Sequence, residues 1–200
     1  MSDSKPISEE RAEKLIQFLQ LVGKLKKVRR TGWVLRQVED PECIAGHMYR
    51  MAIMTFLLDG SQDVDRTRCL QLAVVHDLAE CIVGDITPRC GIDVDEKHRR
   101  EDEAMRQLAD LAGPCGYDLY QLYKEYEEQE TAEAKVVKEL DRFDMILQAF
   151  EYEKCEARPH DLQEFFQSTV GKFSHPLLSS LATQLDKQRQ QFENSSAALK

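Results

Sequence analysis

The stretch that decides the fold and the chemistry of this chain is LAVVHDLAECIVGDITP, residues 72–88. Most of it is apolar, as in a helix buried in a protein core. His76, Asp77 and Glu80 nevertheless lie inside it, and Asp85 follows shortly after. Burying an unpaired charge is costly or forces the group to become neutral. These four polar side chains therefore need an explanation.

The composition of the whole chain predicts one helical domain. A length of 200 residues suits a single hydrophobic core, and 42% hydrophobic with 32% charged residues excludes a disordered chain. Only nine Gly and six Pro interrupt long stretches of good helix formers. We expect an all-α fold, an irregular bundle of seven or eight helices. It forms a single domain over residues 1–200, with a core at about 15–180 and short flexible termini.

The charge and the cysteines limit the possible partners and compartment. A net charge of -9 without a basic stripe argues against nucleic-acid and anionic-membrane partners. No run of 18 apolar residues predicts a membrane span, and the N-terminus lacks the apolar region of a secretory signal. The six cysteines contain no C-x-x-C spacing and are typical of reduced thiols. We therefore expect a cytoplasmic, intracellular protein.

Periodicity and the positions of Pro and Gly predict the helices. The predicted segments are 8–27, 43–58, 65–81, 93–112, 116–129, 131–156, 159–170 and 176–193, with a loop through Thr31 to Pro41. The basic run KLKKVRR at 24–30 has two interpretations. It is either the cationic end of the first helix or a rim that attracts phosphate.

A helix over residues 65–81 would place three of the polar side chains together. At about 100° per residue, His76, Asp77 and Glu80 share one arc of about 100°. Imidazole and carboxylate groups are ligands for divalent metals. Adjacent residues on one helix cannot complete a coordination sphere, so other helices must contribute ligands.

Two further segments can supply them. His47 lies in GHMYRMAIMTFLL and is the only other histidine embedded in predicted core. The apolar segment VVKELDRFDMILQAF offers two acids, Asp141 and Asp144. Periodicity alone does not decide which of the two acids is the metal ligand. If Asp144 is not the ligand, we expect it to face solvent or to form a salt bridge.

The order of these motifs resembles that of the HD-domain phosphohydrolases, which are named for their His-Asp pair. The motifs are HMYR (47–50), VVHDLAE (74–80), GDI (84–86) and K-x-L-D (138–141). Further segments make the likeness greatest to the HD-domain 5′-deoxynucleotidases, over about residues 15–180. They are RTGWVLR (30–36), EKHRREDEAM (96–105) and AEAKVVKELD (132–141).

The resemblance implies a fold, a site and an activity. The fold would be an irregular multi-helix bundle of the HD-domain phosphohydrolase type. One divalent metal, Mn²⁺, Co²⁺ or Mg²⁺, would be held by His47, His76, Asp77 and Asp141. Glu80 and Asp85 would act as acid/base groups or as ligands of a second cation, which the carbonyl of Ile86 would join. The substrate would be a deoxyribonucleoside 5′-monophosphate, and the protein a homodimer.

The substrate contacts are less defined. Trp33 is expected to be a core anchor or a wall for the sugar or base, and Arg50 to form a buried ion pair or touch phosphate. In bacterial members of the family an Arg directly precedes the corresponding Trp, whereas this chain has Gly32 there. The phosphate-binding arginine is therefore unassigned, although arginines occur at 29, 30 and 36. His98, His160 and His175 are expected at the surface or at helix starts.

The leading functional hypothesis is a metal-dependent phosphomonoesterase. The alternatives are a nucleotide phosphodiesterase or triphosphohydrolase of the same superfamily, and a regulator that binds nucleotides without turnover. A helical di-iron oxidase is disfavoured, because such sites use E-x-x-H pairs and the chain contains none.

Overall fold

The computed structural model describes residues 7–59 and 64–197, and the regular structure of these residues is helical. They contain ten α-helices and no named strand. The helices are α1 (Glu9–Val22), α2 (Thr31–Leu35), α3 (Ile44–Thr55), α4 (Arg66–Val75), α5 (Glu80–Val83), α6 (Val94–Ala112), α7 (Gly116–Glu128), α8 (Ala132–Cys155), α9 (Gln163–Ser168) and α10 (Pro176–Ala197). The all-α prediction is confirmed. Of the termini expected to be flexible, residues 9–14 and 181–197 are helical, and residues 1–6 and 198–200 lie outside the described part of the chain.

The chain divides into two compact units. The first comprises Met1–Gly46 and Val75–Lys124, and the second comprises His47–Val74 and Glu125–Lys200, as far as they are described. The expectation of a single domain stays a prediction. Within the described residues, no helix combines the length and the apolar character needed to cross a bilayer.

In the first unit, α6 packs against α1 and α5. The core includes Leu25, Trp33 and Leu108, each at most 3% exposed. Arg11 of α1 donates hydrogen bonds to the carbonyls of Leu111, at 2.9 Å, and Ala112. The last carbonyls of a helix lack intrahelical partners and favour a positive charge, so this contact both caps α6 and ties α1 to it.

In the second unit, the 24-residue helix α8 packs against α9 and α10. Its start is capped by Thr131, whose side chain accepts a hydrogen bond from the Ala134 N–H at 3.1 Å. Its buried face extends from Val136 to Phe150 and beyond. The apolar segment VVKELDRFDMILQAF, residues 136–150, thus provides the buried face of this helix.

Several boundaries differ from the prediction. The first helix ends at Val22 and continues as a short 3₁₀ helix, Gly23–Lys26. The predicted loop from Thr31 contains α2, which forms because burial of Trp33 offsets the weak helix preference of its short TGWVL sequence. The segment predicted as a helix over 159–170 is helical only over α9. The ends of short helices depend on tertiary contacts, which the periodicity of the sequence does not reveal.

Candidate active site

The helix that carries His76 and Asp77 in the sequence prediction ends before them, at Val75. Residues 76–79 form turns, and α5 begins at Glu80. The backbone bonds are spaced by three residues: Leu78 N to Val75 O at 2.9 Å, and Glu80 N to Asp77 O at 3.1 Å. The prediction of one continuous helix was therefore wrong. The reason is that the pattern of apolar residues does not distinguish hydrogen bonds spaced by three residues from the α-helical spacing of four. In 3₁₀-type turns residues i and i+3 eclipse, which brings Asp77 and Glu80 to one side.

His76 and Asp77 direct their ligand atoms to the same place in the first unit. His76 is 4% exposed, and its Nε2 lies 3.1 Å from Asp77 Oδ2. The same carboxylate oxygen lies 3.6 Å from Arg30 Nη1. The His76 nitrogen and the Asp77 oxygen, 3.1 Å apart, form a pair of ligand atoms that suits a cation.

Glu80 and Asp85 lie in the same unit and share an unusual electrostatic environment. Burial, together with the charges of Asp77 and Asp85, raises the pKa of Glu80 well above its ordinary value. Burial also raises the pKa of Asp85, although Arg30 and the Thr31 N–H act in the opposite direction. Perturbed carboxyl groups of this kind are frequent in catalytic sites, where one member must carry a proton near neutral pH.

Asp85 is held by α2 and not by its own turn. Its Oδ2 accepts a hydrogen bond from the Thr31 N–H at 2.6 Å, and its backbone carbonyl accepts one from Thr31 Oγ1 at 2.7 Å. Gly84 precedes it with φ 75° and ψ 173°, a conformation open to glycine but strained for other residues. The loop and the start of α2 are thus joined at the candidate site.

Trp33 is packed as a core anchor. It is 1% exposed, and its indole N–H donates to Glu42 Oε1 at 3.0 Å. The first of the two expectations for this residue therefore agrees with its position. Contact with a sugar or base stays a prediction, as does the role of the Ile86 carbonyl, whose residue is 6% exposed in the same unit.

In the second unit, His47 lies between two aspartates of α8. Its ring is fully buried, with Nδ1 2.6 Å from Asp144 Oδ2 and Nε2 3.4 Å from Asp141 Oδ1. The other oxygen of Asp141 accepts hydrogen bonds from Tyr126 and Lys138, at 3.1 and 2.9 Å. This arrangement gives the two acids different roles: Asp141 faces the nitrogen available to a metal, and Asp144 holds the opposite side of the ring.

Asp144 is 0% exposed, so the expectation that it faces solvent was wrong, whereas the salt bridge is confirmed. Arg50 donates to it through Nε, and to Glu151 and Gln148 through its terminal nitrogens, both at 2.8 Å. Burial raises the pKa of Asp144, but the hydrogen bonds and charges of His47 and Arg50 outweigh burial and lower it overall. The ion-pair alternative for Arg50 is thus observed, and contact with phosphate stays a prediction.

The remaining histidines lie at the surface or beside a helix start, as expected. His98 is exposed on α6, and the side chain of His160 is 61% exposed. His175 is only 4% exposed and directly precedes α10, which is the helix-start alternative; its backbone N–H donates to the buried Glu139 carboxylate at 3.0 Å. This hydrogen bond joins residues that are 36 positions apart in the chain, so no local sequence pattern predicts it.

Sequence reasoning did not single out two cations near the candidate carboxylates. Arg30 was only one of three nearby arginines, and Lys97 had no assigned role. The charges of both act on Glu80 and on Asp85. Arg99 and Arg100 pair with acids of their own helix, α6, including Glu96.

Comparison with known proteins defines the class. The model of the HD domain family matches residues 22–191, so the chain belongs to the HD-domain family. It is 51% identical over 193 residues to 5′-deoxynucleotidase HDDC2 of Bos taurus, covering 94% of each chain.

Two solved structures are also similar. The PH0347 protein of Pyrococcus horikoshii OT3 has a TM-score of 0.70 and 31% identity, over 84% of this chain and 98% of that one. A structure described as a predicted metal-dependent phosphohydrolase from Magnetospirillum magnetotacticum MS-1 has a TM-score of 0.72 and 27% identity. That match covers 92% of this chain and 98% of that one.

Proposed function

We propose that this protein hydrolyses deoxyribonucleoside 5′-monophosphates to the deoxynucleoside and phosphate. The observation that carries the proposal is that an HD-domain chain holds adjacent His and Asp side chains, suited to bind a metal, together with buried acids. His76 lies beside Asp77 in the first unit, which also contains Glu80 and Asp85, and His47 lies beside Asp141 in the second. The substrate class is taken from the similar 5′-deoxynucleotidase HDDC2 of Bos taurus.

One divalent cation, Mn²⁺, Co²⁺ or Mg²⁺, is proposed to bind His47, His76, Asp77 and Asp141, the set of ligands that the resemblance implies. The donor chemistry fits, since two imidazoles and two carboxylates suit such cations. The carboxylate of Asp144 on His47 Nδ1 leaves Nε2 as the ligand atom. When bound, the metal supplies positive charge to the phosphate oxygens and lowers the pKa of water.

Glu80 and Asp85 are proposed to handle protons. A water oxygen attacks phosphorus in line, the bond from phosphorus to the 5′-oxygen breaks, and the leaving oxygen takes up a proton. The raised pKa of Glu80, caused first by burial, supports Glu80 as the donor and Asp85 as the group that orients water. Binding of a second cation, with the Ile86 carbonyl, is the alternative role for this pair.

A phosphate-release assay tests the activity. Purified protein is stripped of metal, reloaded with Mn²⁺ or Co²⁺ and supplied with each deoxynucleoside 5′-monophosphate. We expect phosphate release that Asp77→Ala abolishes and Asp40→Ala, at an exposed site of the same unit, retains. The proposal is wrong if release stays at background and Asp77→Ala makes no difference. Inorganic triphosphate released from nucleoside triphosphates would identify the triphosphohydrolase alternative.

Glu80→Gln separates the two roles of the acidic pair. If Glu80 is a proton donor, kcat falls while metal content per chain, measured by elemental analysis, is unchanged. If it is a ligand of a second cation, the metal content falls as well.

A homodimer is proposed from the surface of α3 and the turn after it. Large side chains at i, i+4, i+7 and i+8 are exposed there: Tyr49 70%, Ile53 47%, Phe56 63% and Leu57 59%. Beside them lies an apolar groove lined by Met54, Leu57, Leu140, Phe143 and Leu178. A ridge next to a groove can be self-complementary under twofold symmetry, and a contiguous row of exposed apolar side chains is typical of an interaction site.

Light scattering after size exclusion tests the homodimer. Phe56→Glu should shift the mass from dimer to monomer, and Val170→Glu, at a separate site that is 78% exposed, should not. A wild-type monomer at micromolar concentration contradicts this part of the proposal. A cytoplasmic location is also proposed, and the six free cysteines support it.

A further inference from the structure

Tyr126 and Lys138 form a closed set of hydrogen bonds with Asp141 in the second unit. The Tyr126 hydroxyl donates to Asp141 Oδ2 at 3.1 Å. Lys138 Nζ donates to the same carboxylate oxygen at 2.9 Å and to the hydroxyl oxygen at 3.0 Å. The hydroxyl thus accepts from an ammonium and donates to a carboxylate, an arrangement in which each bond strengthens the other. Two side chains therefore hold one oxygen of Asp141.

Both donors approach Asp141 from positions that the backbone determines. Tyr126 is 4% exposed, and a buried hydroxyl that lost its partners would be costly. Its backbone carbonyl accepts a hydrogen bond from the side chain of Gln129, which has φ 54° in the turn between α7 and α8. Lys138 lies three residues before Asp141 on α8, on the same side of the helix, and its side chain is 36% exposed.

The second oxygen of Asp141 has a different neighbour. Oδ1 lies 3.4 Å from His47 Nε2, the nitrogen proposed as the metal ligand. Asp144 holds the far nitrogen of the same ring, with Oδ2 2.6 Å from Nδ1. The two candidate ligands of the second unit are therefore held in the same way: other side chains bond to the far side of each, and the near atoms face each other.

We propose that Tyr126 and Lys138 are positioning residues, which hold Asp141 Oδ2 so that Asp141 binds the divalent cation through Oδ1 alone. The proposal deepens the function given above and rests on its metal site. It assigns a role to Lys138, the first residue of the K-x-L-D motif, and to Tyr126, which no sequence motif identified.

The chemistry of carboxylate ligands supports this assignment. A carboxylate can bind a cation through one oxygen or through both. Binding through both would require Asp141 Oδ2 to leave two donors, of which one is charged. Binding through one oxygen keeps a further position on the cation open for water or substrate. Groups that hydrogen-bond metal ligands orient them, and their loss typically weakens metal binding about 10- to 100-fold.

Calorimetric titration of metal-free protein with Co²⁺ provides the test. Tyr126→Phe removes only the hydroxyl, and Lys138→Met removes only the ammonium end of a long unbranched side chain. The matched controls are Tyr117→Phe, at a residue 71% exposed on the same helix α7, and Lys135→Met, at an exposed residue one turn earlier on α8. We expect the affinity for Co²⁺ to fall about tenfold or more in the first two variants and to stay within about twofold of wild type in the controls.

The direction of the Lys138 effect separates positioning from simple charge balance. An ammonium that only balanced the charge of Asp141 would repel the cation, so its loss would strengthen Co²⁺ binding. A positioning ammonium has the opposite effect, and Lys138→Arg should recover part of the affinity. The visible absorption of bound Co²⁺, whose intensity depends on the number of ligand atoms, should change in the double variant, because both oxygens of Asp141 can then reach the cation.

The inference is supported if each single variant weakens Co²⁺ binding and the double variant loses about as much as the weaker-binding single one, since both act on one oxygen. This holds even if no deoxynucleotide is hydrolysed. Unchanged affinity in folded Tyr126→Phe and Lys138→Met, or tighter binding in Lys138→Met, overturns it. If one variant does not fold, the other decides. Wild type that binds no Co²⁺ overturns both the inference and the metal site on which it rests.

Discussion

At the scale of single residues, Asp144 controls the orientation of His47. Its Oδ2 lies 2.6 Å from His47 Nδ1, while its other oxygen accepts from Arg50. A carboxylate on the far nitrogen of a histidine fixes the tautomer and increases the basicity of the ligand nitrogen. Asp144 is thus a positioning residue for a proposed metal ligand.

Asp144→Asn should weaken metal binding about 10- to 100-fold, the usual effect of removing such a partner. The reason is that an amide no longer enforces the Nδ1–H tautomer of His47. Metal titration followed by elemental analysis measures the effect, with Asp186→Asn on the exposed side of α10 as the control. Unchanged metal affinity in a folded Asp144→Asn protein contradicts the assigned role.

The cysteines should differ in reactivity according to burial. Burial raises the pKa of Cys69 to about 12 and that of Cys81 to about 11, while Cys90, Cys115 and Cys155 are exposed. Since the thiolate is the reactive form, a disulfide reagent at about pH 8 should label the three exposed thiols first. Peptide mass spectrometry identifies the labelled positions. Early labelling of Cys69 or Cys81 in the folded protein is the contrary result.

At the scale of elements, the junction between α6 and α7 depends on the absence of a side chain at Gly116. A Cβ at this position would lie 1.9 Å from the carbonyl oxygen of Ala109, a distance that requires the backbone to move. Gly23, in the 3₁₀ helix after α1, has no atom within 4 Å of the corresponding position and has φ -58°. The two glycines form a matched pair for substitution.

Gly116→Ala should lower the free energy of unfolding by about 1–3 kcal/mol, the usual cost of overpacking. Gly23→Ala should leave it unchanged or raise it by up to about 1 kcal/mol, since alanine reduces the entropy of the unfolded chain. Urea denaturation of both variants measures the difference. Equal stability of the two proteins is incompatible with the close approach at Ala109.

In the second unit, a buried ion pair joins α8 to α10. Arg189 is 5% exposed at its side chain and Glu153 is 0%, with Nε to Oε2 at 2.7 Å and Nη2 to Oε1 at 2.8 Å. The same carboxylate accepts the Leu162 N–H at 3.0 Å, just before α9. One acid therefore connects three segments.

Arg189→Leu should destabilise the protein by about 3–5 kcal/mol, because it leaves Glu153 buried without its cation. Arg158→Leu removes a more exposed pair, at 37% exposure, and should cost no more than about 1 kcal/mol. The midpoints of denaturant unfolding of the two variants measure the difference in stability, provided that the slopes of their unfolding transitions are equal. A cost below about 1 kcal/mol for Arg189→Leu disproves the structural role of the pair.

At the scale of the whole molecule, the proposed metal links stability to ligand concentration. A cation that binds the folded chain and not the unfolded one stabilises it by about 2.7 kcal/mol at 100 times its dissociation constant. Its proposed ligands are His47, His76, Asp77 and Asp141. Metal removal should therefore affect global unfolding.

A chelator should lower the Tm of wild type, and excess Mn²⁺ or Co²⁺ should restore it. In Asp77→Ala the same treatments should change the Tm much less, because one proposed ligand is missing. Scanning calorimetry at fixed protein concentration measures both. Equal metal-dependent shifts in the two proteins contradict binding at Asp77.

Much of the architecture could be predicted from local patterns. The bounds of α6, α7 and α8 lie within about a residue of the predicted segments, because long amphipathic stretches with clear ends carry strong periodicity. The break at Val75 and the helix α2 could not be predicted. Each depends on turns and buried contacts in which distant residues participate.

The sequence by itself determined the helical class, which follows from composition and periodicity. It also supplied the candidate His, Asp and Glu residues of the site, through the order of motifs. Only the tertiary structure decided that Asp141 faces His47 Nε2 while Asp144 holds Nδ1. It also placed Arg30 Nη1 3.6 Å from Asp77 Oδ2 in the first unit. The physical reason is that periodicity records which side of a helix is apolar. The choice of hydrogen-bond partner, by contrast, depends on atoms brought together from segments far apart in the chain.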